Sequence, residues 1–163
     1  MKRWNHRASG FRRNGFLVFL TFSAVACQQL TAQGGAARVS ASDSVKAHFG
    51  AAQLAQQQHD YVTAEREYKA VLSEEPRFAE AHMNLGLVYQ LGNRVPEAMT
   101  EFRSALKLKP SLVGANFFLG VDYCNMGKGA DALPYLRTAV RSEPKRPETW
   151  LWLATAERLS GDP

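Results

Sequence analysis

Pro76, Pro110 and Pro144 recur every 34 residues, and they do not recur alone. Ala64, Ala98 and Ala132 keep the same step, as do Tyr68, Phe102 and Leu136. So do Leu85, Leu119 and Leu153, and likewise Gly86, Gly120 and Ala154. A fixed period of this length marks stacked helical hairpins, because one hairpin cannot bury its apolar face alone. Residues 79–110 show the unit most plainly: two amphipathic segments, a Gly92-Asn93 break between them, and a closing proline.

Within each unit the residue types obey helix packing. Leu85, Tyr89 and Phe102 form an apolar stripe at helical spacing, and Leu119, Tyr123 and Leu136 repeat it. Gly86, Gly120, Ala98 and Ala132 fall where paired helices approach most closely, and a larger side chain would push them apart. The prolines separate one hairpin from the next, since proline suits a first helical turn and not an interior. The pattern predicts helices over about 44–58, 61–74, 78–91, 95–107, 112–126, 129–141 and 146–159. Ser42 or Asp43 is expected to cap the first, and Pro134 to kink the sixth.

These residues carry a family resemblance. Leu85-Gly86, Tyr89, Ala98, Phe102, Ala105 and Pro110 resemble the tetratricopeptide repeat motif. Leu119-Gly120, Tyr123, Ala132, Leu136, Ala139 and Pro144 match it again. In the first repeat Ala51-Ala52 and Ala55 replace the expected Leu-Gly and Tyr, while Ala64, Tyr68, Val71-Leu72 and Pro76 fit. Trp150, Leu153 and Ala154 open a fourth. The resemblance implies an all-α fold over residues 44–163: a right-handed superhelical solenoid of antiparallel helix pairs. Its repeats fall at about 45–78, 79–112 and 113–146, with a partial one at 147–163. Gly161-Asp162 stands where the turn into a partner helix belongs, so the array is expected to stop part-way, leaving apolar surface near Trp150 exposed.

Residues 1–32 read as an export signal of the bacterial type. Lys2, Arg3, Arg7, Arg12 and Arg13 precede the apolar run 16–26. That run has the length of a signal-peptide core, about 7–15 residues, and falls short of the ~20 a membrane span needs. An uncleaved anchor is the rival reading, since Leu30 could lengthen the apolar segment. Cleavage is expected after Ala26 or after Ala32. The first would expose Cys27, and Ala24-Val25-Ala26-Cys27 resembles a lipoprotein signal, with Ala24 where that pattern favours Leu. Cys27 is therefore the candidate lipidation site, and an acyl chain there would tether the repeats to a membrane face. Arg12-Arg13 faintly resembles a twin-arginine signal, but Phe16-Leu17 comes one residue late for it. Residues 33–43 are small, polar and glycine-containing, as a flexible tether is. The expected location is the periplasm or cell envelope.

The net charge of +5 points to nucleic acid only until it is located. Five of the 20 basic residues lie in the leader, and the remaining 15 are balanced by 15 acidic ones. A groove tracking phosphates needs a basic excess, so nucleic acid is not the expected partner. No HExxH, CxxC, phosphate-binding glycine loop or Gly-x-Ser-x-Gly elbow occurs, and no cofactor, metal or catalytic role is expected. Asp122 and Glu157 come nearest to a carboxylate pair. Cys124 reads as a small core or groove residue.

Stacked hairpins rotate slightly from one to the next and leave a concave face lined by the first helix of each pair. In the tetratricopeptide family that face commonly holds an extended peptide or a partner helix. The groove candidates are Phe49 and Gln53, then Met83, Asn84 and Leu87, then Phe117, Phe118 and Val121, and finally Trp152. Mostly apolar, they predict a trough for apolar side chains, with the Asn84 amide bonding a partner's backbone. Some family members clamp a chaperone's C-terminal carboxylate with Lys, Asn and Arg. Here Phe49, Gly114 and Phe118 occupy the positions of the cations, so the charge-assisted bonds are missing. The expected function is a non-catalytic protein–protein interaction scaffold. The alternative is an accessory region of a longer envelope enzyme or assembly protein with its chemistry beyond residue 163.

Overall fold

The computed structural model describes residues 41–161. The export signal, Cys27 and most of the tether lie outside them. The described residues form α1 (Ala41–Gln57), α2 (Tyr61–Glu74), α3 (Ala79–Leu91), α4 (Val95–Leu108), α5 (Val113–Asn125), α6 (Gly129–Ser142) and α7 (Pro147–Ser160), with no strand among them. Residues 41–43, expected to end the tether, already belong to α1. Asp43 therefore sits in the first turn rather than at the cap, where its charge still favours the helix N-terminus. Helix α6 runs unbroken through Pro134. In the second turn, the missing N–H forfeits only one ladder bond, to a carbonyl beside the helix start.

The turns inside the hairpins share one backbone geometry. His59, Asn93 and Gly127 have φ of 60°, 58° and 71°, and Gly161 repeats 71° after α7. The next amide reaches back five residues: Asp60 N–H donates to Ala55 O, Arg94 to Tyr89 O, and Lys128 to Tyr123 O, all at 2.8–2.9 Å. This Schellman closure satisfies the last carbonyls of each first helix and reverses the chain tightly enough for an antiparallel return.

The loops between hairpins repeat as well. His82 Nε2–H donates to Pro76 O at 3.1 Å, Asn116 Nδ2 to Pro110 O at 2.9 Å, and Trp150 Nε1 to Pro144 O at 2.8 Å. Three unlike side chains at one repeat position thus perform one task, supplying a donor to the proline carbonyl. The 34-residue spacing of the prolines is visible in the sequence; this shared donor is not, because the three residue types have little else in common.

Packing follows the columns. Helices pair α1/α2, α3/α4 and α5/α6, each pair lies on the next, and α7 rests on α6 and α5. Tyr68, Phe102 and Leu136 are fully buried, one at the centre of each second helix. A Cβ added to Gly86 would lie 2.6 Å from the Phe102 ring, and one at Gly120 would lie 2.5 Å from Leu136 Cγ. The glycines are there because the large residue of the opposite helix fills their space.

Candidate functional site

The first helices bring the predicted polar residues together. Gln53 on α1 and Asn84 on α3 line a recess of about 310 Å³, shared with Gln56, Gln57, His59, Tyr61, Tyr68 and Leu91. The Tyr68 ring is buried, but its hydroxyl donates to Gln56 Oε1 at 3.0 Å. Burial pushes the phenol up to about 12, with a hydrogen bond involving Asn84 acting against that rise. The recess therefore offers amide and hydroxyl groups that both donate and accept, the chemistry that reads a peptide backbone rather than a charge. Gln56, Tyr61 and Tyr68 escaped the sequence reading. Tyr68 stands in the column of Phe102 and Leu136 and reads as core; its hydroxyl is the one signal that it does more.

The apolar candidates divide between packing and surface. Phe49 stacks on Phe78 with centroids 4.9 Å apart and meets Tyr68 edge-on at 5.7 Å, closing the seam between the first two hairpins. Phe118 stacks on Phe102 at 5.7 Å and holds Phe117 edge-on at 5.4 Å. Phe117 is 9 % exposed, with the Arg146 guanidinium 4.8 Å above its ring, so it backs the groove rather than facing it. Met83 lies against Gly114, where an added Cβ would sit 2.5 Å from its sulfur. Val121 and Trp152 are half-buried beside the α6–α7 core. Leu87 is half-buried on α3, and Gln53 is exposed.

Three residues outside that set complete the electrostatics. Asp122 is 2 % exposed; its Oδ1 accepts from Gln90 Nε2 at 2.5 Å, and its Oδ2 has no partner. Burial raises its pKa, and the Gln90 bond opposes the rise. Glu157 pairs with Arg137 at 3.9 Å, so Asp122 and Glu157 have separate partners. Cys124 is buried, its thiol directed at Trp152 O at 3.9 Å, and burial pushes that thiol up, away from the thiolate a nucleophile needs. Among the described residues no His, Cys, Asp or Glu cluster is placed to hold a metal, and no helix is long and apolar enough to cross a membrane.

Repeating hairpins that nest through small residues, with polar and apolar side chains presented from their first helices, define a solenoid of the protein-interaction class. The Tetratricopeptide repeat profile matches residues 49–112 and 119–163. The chain belongs to the tetratricopeptide repeat family, and its helices form that family's right-handed superhelical solenoid, whose repeats are themselves non-catalytic. Solved structures agree. A Thermobaculum terrenum O-GlcNAc transferase mutant is 25 % identical with a TM-score of 0.66, over 72 % of this chain and 23 % of that one. The chain thus spans less than a quarter of that enzyme. MamA from Desulfovibrio magneticus RS-1 is 22 % identical with a TM-score of 0.68, covering 72 % of this chain and 67 % of that one. The TPR2B domain of yeast Sti1, solved in complex with pHsp70, is 16 % identical with a TM-score of 0.65, covering 71 % and 97 %. No curated protein matches the chain.

Proposed function

We propose that this protein is a non-catalytic scaffold of the bacterial cell envelope that holds an apolar peptide or helix along its first helices. The supporting observation is the amide-lined recess of Gln53 and Asn84, on the helices that also carry the half-buried Met83 and Leu87. The amides bond the ligand's backbone and the apolar residues take its side chains, with Phe118, Val121 and Trp152 extending the track on α5 and α7. Phe49 is stacked on Phe78, Gly114 lies under Met83 and Phe118 is stacked on Phe102, so the positions a carboxylate clamp would fill with cations are occupied by packing. The ligand is therefore apolar rather than an acidic tail. Residues 1–32 direct export, and removal after Ala26 or Ala32 releases the repeats with or without an acyl chain at Cys27.

Selecting peptides on the protein from a random library tests the binding part. Ligands rich in apolar side chains are expected, and Asn84→Ala or Leu87→Ala should each weaken them about tenfold or more, roughly 1.4 kcal/mol, with helicity unchanged by circular dichroism. Selection of acidic C-terminal peptides whose affinity ignores Leu87→Ala would refute the reading. Mass spectrometry of the cell-envelope fraction tests the export part: a chain beginning at Cys27 with a lipid adduct or at Gln33 is expected, and an intact Met1 terminus in the cytoplasm contradicts it.

A further inference from the structure

The first hairpin departs from its columns at two places that meet in the recess. Where it carries Gln56 and Tyr68, the second carries Gln90 and Phe102, and the third Cys124 and Leu136. Phe102 and Leu136 fill the column without a hydroxyl, so packing does not require the one on Tyr68. Gln90 gives its amide to Asp122, whereas Gln56 and Tyr68 both turn to the recess. Among the described residues, none that lines the recess is a carboxylate, a lysine or an arginine. His59, at its exposed rim, is engaged through Nδ1 with the Tyr61 hydroxyl at 3.0 Å.

One proton orients the amides. The Tyr68 hydroxyl has a single hydrogen, and it goes to Gln56 Oε1 at 3.0 Å. The Asn84 amide that bonds the same hydroxyl therefore donates to it through Nδ2. That leaves Gln56 Nε2 to donate and Asn84 Oδ1 to accept, on two half-buried side chains anchored to a fully buried ring. A carboxylate only accepts and would face Asn84 Oδ1; an ammonium only donates and would face Gln56 Nε2. A trans peptide group points its N–H and C=O in opposite directions. A primary amide carries an N–H and a C=O along one edge and satisfies both groups at once.

We propose that Gln56, Tyr68 and Asn84 form a specificity site for one primary amide, the side chain of an asparagine or glutamine in the peptide that the groove holds. The proposal rests on the groove reading and adds to it a polar residue at a fixed place in an otherwise apolar ligand. Gln53, exposed at the mouth, is left for the backbone, and the second lone pair of Asn84 Oδ1 can share that task. Leu91, which also lines the recess, continues its wall into the apolar track.

Peptides selected from a random library on the full chain test it. Asparagine or glutamine is expected at one fixed position among apolar residues. In isothermal titration, replacing that ligand residue by its acid or by leucine should weaken binding about tenfold or more, since a site built to bond a polar group rejects an analogue that lacks it. Gln56→Glu keeps an acceptor for Tyr68 but turns the outward donor into an acceptor. It should abolish the preference for the amide peptide over its leucine analogue, with helicity unchanged by circular dichroism. Apolar binders without an amide preference overturn this proposal and leave the groove reading standing; acidic binders indifferent to Leu87→Ala overturn both. An amide preference that survives Gln56→Glu overturns the assignment to these three residues.

Discussion

Gly127 and Asp122 sit near one another in sequence and show two different ways a single residue sets stability. Gly127 has φ of 71°, and a Cβ built on it would meet nothing within 4 Å. Gly127→Ala therefore costs only left-handed backbone strain, about 1–2 kcal/mol, and chemical denaturation should show it as a lower midpoint with unchanged slope. His59 and Asn93 already carry part of that strain at their own turns. Asp122 is a matter of charge. Its folded pKa lies above the usual carboxylate value of 3.8 because burial disfavours the ion, so the folded state binds its proton more tightly than the unfolded state. That contribution favours the fold below both values and is lost as pH rises through the raised one. Asp122→Asn keeps an acceptor for Gln90 and removes the charge. At neutral pH it should raise stability by about 1–2 kcal/mol, the scale of an unsatisfied buried group. The gain over wild type should vanish once the pH falls below the ordinary carboxylate range, which paired thermal melts would follow. Val88 and Ala156, apolar residues at the same repeat position, are both buried, so the carboxylate is the exception in its column.

Helices dock here through glycines whose neighbours differ in how far they can yield. A Cβ at Gly86 meets the Phe102 ring, whereas one at Gly129 meets the backbone of α7 at Ala156 O and Ser160 N. A ring can tilt; a helix backbone moves only as a whole. Gly129→Ala should therefore cost about 2–3 kcal/mol, the upper part of the overpacking range, and should free α7 first, raising amide hydrogen exchange across Pro147–Ser160 while α1 to α4 stay protected. Uniform exchange through all seven helices would show that α7 does not dock as a separate unit. Tyr61 and Val95 open the other two second helices at this position, so the glycine belongs to the α6–α7 contact and not to the repeat. The ion pairs between helices, Arg94 with Glu65 at 2.8 Å from the second hairpin to the first and Lys109 with Glu80 at 2.8 Å within the second, join exposed cations to partly exposed carboxylates and add little by comparison.

At the scale of the whole stack, the core meets the proposed ligand recess at Tyr68, whose ring belongs to the packing column and whose hydroxyl belongs to the recess. Tyr68→Phe separates the two roles. The stack should stay folded within about 1 kcal/mol, since Gln56 is reachable by water in place of the lost hydrogen bond, while affinity for selected peptides should fall in isothermal titration. Unchanged affinity would remove the recess from the ligand's path. Much of the fold is legible from spacing alone: the seven helices fall within a residue or two of the expected bounds at nearly every end, and Gln53 and Asn84, expected on one face, line one recess. Phe117 and Phe118 read alike in the sequence, and the structure separates them, because α7 and Arg146 close over one and leave the other half-open.

The 34-residue columns by themselves determined the hairpins, their order and their nesting, because helix periodicity and the volume at each contact are local properties that repeat with the chain. Only the tertiary structure decided which apolar side chains remain open, which carboxylate is buried without a second partner, and that His82, Asn116 and Trp150 share one carbonyl-binding task. Those outcomes depend on what each residue meets across the stack, and one column of letters does not record its neighbours.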